Sequence, residues 1–161
     1  MLTSLPIFIK YLLTTILGAM PIIELRYAVI IADRFFALNI LPAFIFGLIG
    51  NILPIFFIVK YAKPLFDFFG RWKFFKKIID WATNKATKKI AESNTIQKFA
   101  IFSLFLFVAV PIPTTGAWVG SLIANFLEIP AKKAVPVIIL GVITAGIIMV
   151  IVNGGVSYLL G

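Results

Sequence analysis

The fold of this chain is decided by the stretch FAIFSLFLFVAVPIPTTGAWVGSLIANFL, Phe99 to Leu127. It carries no charge and is broken near its middle by PIPTTG, Pro111 to Gly116. A straight helix of this length would overshoot a bilayer core of about 30 Å, whereas two spans would need about 40 residues. Pro111 and Pro113 each remove a backbone donor, and Gly116 permits unusual backbone angles. The stretch therefore predicts a re-entrant helical hairpin, which turns near the middle of the membrane and leaves on the side it entered.

The turn of this hairpin is a candidate binding site. Unpaired backbone groups at membrane depth are tolerated only where they are buried in protein or line a water-filled cavity. Thr114, Thr115 and Gly116 offer hydroxyls and free backbone donors at the start of a half-helix, which suits an anion. Local capping of the same half-helix is an equal alternative. Trp118, just after the turn, is better explained by packing than by ligand contact.

The composition is that of an integral membrane protein. The chain is 61% apolar and 13% charged, about half the charged share of a soluble protein. It has no cysteine or histidine, which excludes thiol chemistry and most hydrolytic triads and transition-metal sites. A pair of membrane aspartates and a Gly-x-Ser-x-Gly elbow are also missing. We therefore expect no enzyme, no catalytic residue, no metal and no cofactor.

The basic residues of the chain concentrate between Lys60 and Lys98, which predicts a cytoplasmic segment. Apolar residues recur there at intervals of three and four, opposite lysines, so residues 71–92 are predicted to form a basic amphipathic helix. Such a helix suits the surface of an anionic leaflet, although docking on the membrane domain or on a partner is an alternative. The segment has no nucleic-acid-binding motif, and we expect no nucleic-acid partner.

A second hairpin is predicted at the start of the chain. An apolar half-helix from Leu2 to Met20 leads into PIIELRYAVIIADRFF, Pro21 to Phe36. We place a proline-led break around residues 21–26 and a returning half-helix that ends near residue 37. The segments of the single membrane domain, 1–161, are then hairpin 1–37, transmembrane helix 38–59, cytoplasmic segment 60–98, hairpin 99–127 and transmembrane helix 134–160.

The charges after the second hairpin predict the topology. If residues 99–127 crossed the membrane, Lys132 and Lys133 would lie outside, against the positive-inside tendency. A hairpin returns them to the cytoplasm and places both termini outside. The chain is then a multi-pass cell-membrane protein, all-α, with two inverted halves. PAFIFG (42–47) and PVIILG (136–141) give a faint repeat signal. Inverted repeats with broken helices are a recurring plan of transporters.

Glu24 and Arg26 are the strongest candidate site residues. Two positions apart, they would not share a face of a regular helix, but both can point into one cavity from an unwound break. Ionisable residues inside a membrane are expensive and are functional-site hypotheses by default. A structural ion pair that fixes the hairpin is the alternative. Asp33 and Arg34 are better explained as interfacial charges, and Asn51 needs a partner if it is buried.

Two motifs resemble the small multidrug export protein family. PIIELRYAVIIA resembles its ELRGAIP-type signature, and LFVAVPIPTTGAWVGSLIA, Leu106 to Ala124, resembles its second signature. That family is similar, at a distance, to the DedA membrane proteins, which implies facing re-entrant hairpins and proton-dependent transport or lipid-carrier flipping. The resemblance places Glu24 and Arg26 on the first motif. The residues that it places on the second are Pro111, Pro113, Thr115, Gly116 and Trp118.

We therefore predict a small proton-coupled transporter for an amphipathic small molecule or a lipid-linked phosphate, with its site between the two hairpin tips. A non-transporting scaffold or assembly subunit, or a passive lipid scramblase, is the alternative. The sequence leaves open the substrate, the direction of transport and whether the protein is a homo-oligomer.

Overall fold

Six α-helices and one 3₁₀ turn form the described part of this computed structural model, which covers residues 2–69, 94–112 and 115–160, with side chains for 2–61, 95–112 and 115–154. The turn Leu2–Ser4 is followed by α1 (Ile7–Ala19), α2 (Glu24–Phe36), α3 (Ile40–Phe69), α4 (Asn94–Ala109), α5 (Ala117–Phe126) and α6 (Ala131–Leu160). These ranges contain no strand, which confirms the all-α prediction. The amphipathic helix predicted at 71–92 lies outside the described residues.

Two of the helices, α3 and α6, are long and apolar enough to cross a membrane. The candidate spans are Ile40–Tyr61, with 22 residues, and Ala131–Gly154, with 24 residues. At 1.5 Å per residue these are about 33 and 36 Å long, enough for a hydrocarbon core of about 30 Å. The other helices, α1, α2, α4 and α5, have 13, 13, 16 and 10 residues, which is too short for a span.

The long helices extend beyond the predicted transmembrane segments. Helix α3 continues past residue 59 to Phe69, since a helix keeps its own backbone hydrogen bonds in the headgroup region. Helix α6 begins at Ala131, before the predicted residue 134. There the carbonyl of Pro130 accepts hydrogen bonds from the N–H groups of Lys133 and Ala134, at 2.8 and 2.9 Å.

The first break is shorter than predicted. It covers residues 20–23, and α2 begins at Glu24, so Arg26 belongs to the first turn of a helix and not to an unwound segment. Met20 is extended, as expected for a residue before proline, and this ends α1. Glu24 takes a left-handed backbone conformation, with φ of 52°. The second break separates α4 from α5, and Pro113 and Thr114 in it lie outside the described residues.

The four short helices form two pairs, α1–α2 and α4–α5. In each pair the start of the first helix lies near the end of the second. Lys133 at the start of α6 donates a hydrogen bond of 2.7 Å to Gln97 near the start of α4. The chain between them therefore goes out along α4 and comes back along α5. At the other end, α2 contacts the turn Leu2–Ser4, and Asn153 of α6 donates to Asp33 near the end of α2.

The first three helices pack on one another, and so do the last three. Across the two groups α2 packs on α6, and α5 packs on α3. Gly18 of α1 lies directly against the Gly47 carbonyl of α3, where a Cβ would collide with it. Leu25 of α2 is fully buried and belongs to the same core cluster as Ala117 of α5 and Ile138 of α6. The two groups therefore share a core around the start of α2.

The outer surface of this bundle is apolar. Large side chains face outward on the long and the short helices alike, including Phe8, Leu41, Phe57, Phe99 and Ile151. Monomeric soluble proteins rarely expose contiguous apolar surface on this scale, whereas a bilayer covers it. The exposed surface and the two long helices fit a membrane protein.

Candidate functional site at the meeting of the two helix breaks

Glu24 links the first break to the start of α5. One of its carboxylate oxygens accepts a hydrogen bond from the N–H of Ala117 at 3.2 Å, and the other accepts from the N–H of Trp118 at 3.3 Å. These N–H groups are the first two of α5 and have no partner within that helix. Glu24 is buried, with 4% of the residue exposed, and its carboxylate lies at the positive end of the helix dipole. Glu24 therefore caps a helix that begins 93 residues later in the chain.

Gly116 lets this carboxylate approach. Its φ of −172° is extended backbone that any residue adopts, so the unusual backbone angles that glycine permits are not used here. The glycine is required for space: a Cβ built on it would overlap both carboxylate oxygens of Glu24. A side chain here would push Glu24 away from the start of α5.

Arg26 binds the part of the second break that directly follows α4, whereas Glu24 binds the start of α5. Its Nη1 donates to the carbonyl of Ile112 at 2.9 Å and lies 3.4 Å from the carbonyl of Val110, just after the end of α4. Its Nη2 lies 3.4 Å from the Glu24 carboxylate, and the pair is almost fully buried, with side chains 5% and 6% exposed. Carbonyls at the end of a helix attract a cation. Arg26 and Glu24 therefore hold the two sides of one break.

Thr115 joins this network through its hydroxyl. The Oγ1 lies 2.9 Å from the Ile112 carbonyl and 3.0 Å from that of Val110, and donates its single proton within this pair. It also accepts from Nη1 of Arg26 at 3.4 Å. Thr115 and Arg26 therefore bind the same two carbonyls, those of Val110 and Ile112. The neighbouring Thr114 lies outside the described residues.

The indole of Trp118 makes a second bridge between the breaks. Its Nε1 donates a hydrogen bond of 3.2 Å to the carbonyl of Ala19, the last residue of α1. The sequence pointed to packing for this side chain and did not predict the bond. Because its backbone N–H also binds Glu24, Trp118 contacts the first break at two places.

Asn51 of α3 lies beside the Glu24 carboxylate, fully buried. Among the described residues neither amide atom has a hydrogen-bond partner within 3.5 Å, and the same holds for the buried hydroxyl of Ser121 on α5. The sequence identified Asn51 as a residue that needs a partner, and it missed Ser121. Buried polar atoms of this kind are sites for water or for a ligand group.

The pair Asp33 and Arg34 lies away from this site. Arg34 Nε is 3.8 Å from the Asp33 carboxylate, with side chains 47% and 31% exposed. Both side chains contact Asn153 of α6, at the end of the molecule that holds the chain start. The structure thus brings together Glu24, Arg26, Thr115, Gly116 and Trp118, and leaves this second pair near the surface.

The space between the breaks is closed. A cavity of about 10 Å³ is lined by Pro21, Glu24, Arg26, Ile112 and Thr115 among others. That volume holds about one water molecule, whereas pockets for drug-sized ligands measure about 300–1,000 Å³. In this conformation the site is a closed junction of paired groups.

A family model described as "Putative small multi-drug export protein" matches residues 24–148, more than three quarters of the chain. The chain belongs to this family. The match begins at Glu24 and includes Arg26 and the whole second break. Membership of the small multidrug export family indicates an export function at a membrane and points to transport and not to catalysis. Comparisons with curated proteins and with solved structures gave no significant match.

Proposed function

We propose that this member of the family is a proton-coupled transporter that exports or flips an amphipathic small molecule or a lipid-linked phosphate. The observation that carries the proposal is the buried pair Glu24 and Arg26, which bridges the two helix breaks. Charged groups at membrane depth are costly, and they commonly mark substrate or proton pathways.

The proposed topology is two inverted halves, each a re-entrant hairpin followed by one transmembrane helix. The bond between Gln97 and Lys133 supports a hairpin at 99–127, because both ends of that stretch lie together. The helix contacts support the two halves, because α2 packs on α6 as α5 packs on α3. A non-glycine residue with φ of 52° lies shortly after each of these helices: Ala37 directly follows α2, and Glu128 is two residues past the end of α5. In this topology the basic segment 60–98 is cytoplasmic and both termini are outside.

The proposed switch is protonation of Glu24. As a carboxylate, Glu24 accepts from two N–H groups of α5 and pairs with Arg26. A proton on this group removes the charge that all three donors face, and the closed junction then loses its strongest contacts. A ligand or proton that favours an open arrangement shifts the population toward it. Opening would enlarge the small cavity between the breaks and admit substrate.

The open junction would offer an anion site. The N–H groups of Ala117 and Trp118 point at the place that the Glu24 carboxylate now fills, and Arg26 lies next to it. Helix N-termini and arginine bind phosphate and carboxylate well. Thr115, Gly116 and Thr114 are the further proposed contacts. A phosphate headgroup would compete with Glu24 for these donors, which couples substrate binding to release of the carboxylate.

The competing proposal is a non-transporting scaffold or assembly subunit whose basic segment recruits a partner. The observation that favours it is the closed junction, in which Glu24 and Arg26 are already paired and the cavity measures only about 10 Å³. A passive lipid scramblase is a third proposal.

Purified protein in vesicles distinguishes these proposals. The transporter predicts movement of a cationic dye or of an isoprenoid phosphate driven by an imposed pH gradient, with a matching proton flux. A scramblase would move lipid at the same rate with and without the gradient. If neither lipid, dye nor protons move beyond the rate in empty vesicles, the scaffold proposal stands and the transporter is excluded.

A further inference from the structure

A cavity of about 650 Å³ lies between the second half of α3 and the first turns of α6. This volume falls in the range of pockets that hold drug-sized ligands, about 300–1,000 Å³. It lies at the end of the molecule where Gln97 and Lys133 meet, and is separate from the closed junction of Glu24 and Arg26. The Glu24 junction is too small for a ligand of this size, so the two sites cannot serve the same role in this conformation.

The cavity is apolar along its body and basic at its rim. Phe56, Phe57 and Val135 contribute apolar surface, and Lys60 and Lys132 come from the two facing helices. Among the side chains that the structure describes, neither lysine pairs with a carboxylate. This arrangement is complementary to a molecule with an apolar body and an anionic head.

The surroundings of Lys60 and Lys132 place the anionic head at a membrane interface. Lys60 lies over the ring of Tyr61, 5.2 Å from its centroid, at the end of the apolar span Ile40–Tyr61. Tyrosine and lysine are typical of the level of the lipid headgroups. Lys132 lies at the start of the other span, so both charges sit where headgroup phosphates are found.

We propose that this cavity is a binding site for an anionic phospholipid, which places its phosphate between Lys60 and Lys132 and its acyl chains along α3 and α6. Basic pockets between transmembrane helices bind lipid headgroups in this way. The site is independent of the proposed transport function, because it requires neither the Glu24 junction nor a gradient.

The test is a lipid titration of the purified full-length chain, followed by native mass spectrometry. Wild-type protein should bind phosphatidylglycerol at least about tenfold more tightly than phosphatidylcholine, given two lysines near one phosphate. The double variant Lys60→Gln/Lys132→Gln should lose this preference. The matched control Lys98→Gln/Lys133→Gln removes the same charge from the same end of the molecule but not from the cavity, and should keep the preference within about twofold.

A second variant tests the cavity itself. Ala131 lies exposed on its lining, so Ala131→Trp should fill it and weaken binding of phosphatidylglycerol with both lysines in place. Soluble glycerol phosphate should not displace the lipid, because it lacks acyl chains. Equal losses in the two lysine double variants, an unaffected Ala131→Trp protein, or displacement by glycerol phosphate would each overturn the proposal. The first result would mean general attraction to a basic protein, and the last a site for phosphate alone. If another part of the chain or a second copy covers the cavity, neither the Lys60→Gln/Lys132→Gln variant nor Ala131→Trp should change binding of phosphatidylglycerol, and this result too would overturn the proposal.

Discussion

The carboxylate of Glu24 accepts a hydrogen bond from the backbone N–H of Ala117 at 3.2 Å, across 93 positions of sequence. Glu24 begins α2 and Ala117 begins α5, so one helix start caps another. Arg26, two residues after Glu24, binds the backbone carbonyls of Val110 and Ile112, just after the end of α4. The negative charge of Glu24 therefore lies at the positive start of α5, and the positive charge of Arg26 lies at the negative end of α4. Together they stabilise the break between α4 and α5 from both sides.

The first prediction concerns the energetic coupling of Glu24 and Arg26. Removing one partner of a buried pair leaves the other charge uncompensated, so Arg26→Gln should lower the free energy of unfolding by about 3–5 kcal/mol. Adding Glu24→Gln should restore part of this loss. A double-mutant cycle, followed by denaturant unfolding in detergent micelles, gives the coupling energy.

The pair Asp33 and Arg34 is the matched control for that cycle. Its side chains are 31% and 47% exposed, and exposed pairs contribute about 0.2–1 kcal/mol. We expect Asp33→Asn and Arg34→Gln to be nearly additive. Equal coupling in the two pairs would contradict the assignment of the buried pair as the main link between the breaks.

The second prediction concerns the space at Gly116. Gly116→Ala places a methyl group on the Glu24 carboxylate and should lower the free energy of unfolding by about 1–3 kcal/mol. Gly154→Ala is the control, since no atom of the described residues lies within 4 Å of its added Cβ, and alanine suits the helix slightly better than glycine. The free energy of unfolding is measured for both variants. If Gly116→Ala leaves it as unchanged as Gly154→Ala does, the close approach of Glu24 to Gly116 is not present in the native protein.

The third prediction concerns the hydroxyl of Thr115. Thr115→Val keeps the shape and removes the hydroxyl that braces the Ile112 and Val110 carbonyls, so stability should fall by about 1 kcal/mol. Thr144→Val is the control, because among the described residues Thr144 donates only to the Leu140 carbonyl of its own helix, and this substitution should change stability by less. Thr115→Ser should stay close to wild type, and a loss in Thr115→Ser equal to that in Thr115→Val would point to the methyl group.

The fourth prediction concerns topology. The chain has no cysteine, so single cysteines at Ser4, Gln97 and Lys133 can be labelled with an impermeant thiol reagent. We expect Gln97→Cys and Lys133→Cys to react from one side of the membrane and Ser4→Cys from the other. Reaction of Gln97→Cys and Lys133→Cys from opposite sides would mean that residues 99–127 cross the bilayer, and would remove the hairpin.

Much of this fold follows from hydrophobic length. Uncharged runs of about 20 residues predict α3 and α6, and the overlong stretch with Pro111 in its middle predicts two short helices in place of one. The ends of the helices were harder to predict. The proline-led break predicted from Pro21 extends as far as Arg26, whereas in the structure Arg26 pairs with Glu24 and α2 begins at residue 24.

The sequence predicts the charged and polar side chains of the site more easily than it predicts the backbone groups that they bind. Glu24, Arg26, Thr115 and Gly116 could be chosen because charges and helix breaks are rare and costly at membrane depth. The carbonyls of Ile112 and Val110 have no side-chain signature. Their signal is indirect. Pro111 and Pro113 interrupt the helix, so these carbonyls accept only short-range backbone N–H groups, from Ile112 and Thr115, and each can accept a further donor such as an arginine elsewhere in the chain. Ser121 gives no such signal, because a buried serine on a membrane helix usually bonds within its own helix.

The central claim is that Glu24 couples proton movement to transport at the junction of the breaks. The most direct test is flux of dye or isoprenoid phosphate in vesicles under an imposed pH gradient, compared among wild type, Glu24→Gln and the control Asp33→Asn. The account predicts gradient-driven flux for wild type and for Asp33→Asn, and loss of the dependence on the gradient for Glu24→Gln. Gradient-driven flux at the wild-type rate in Glu24→Gln would contradict it.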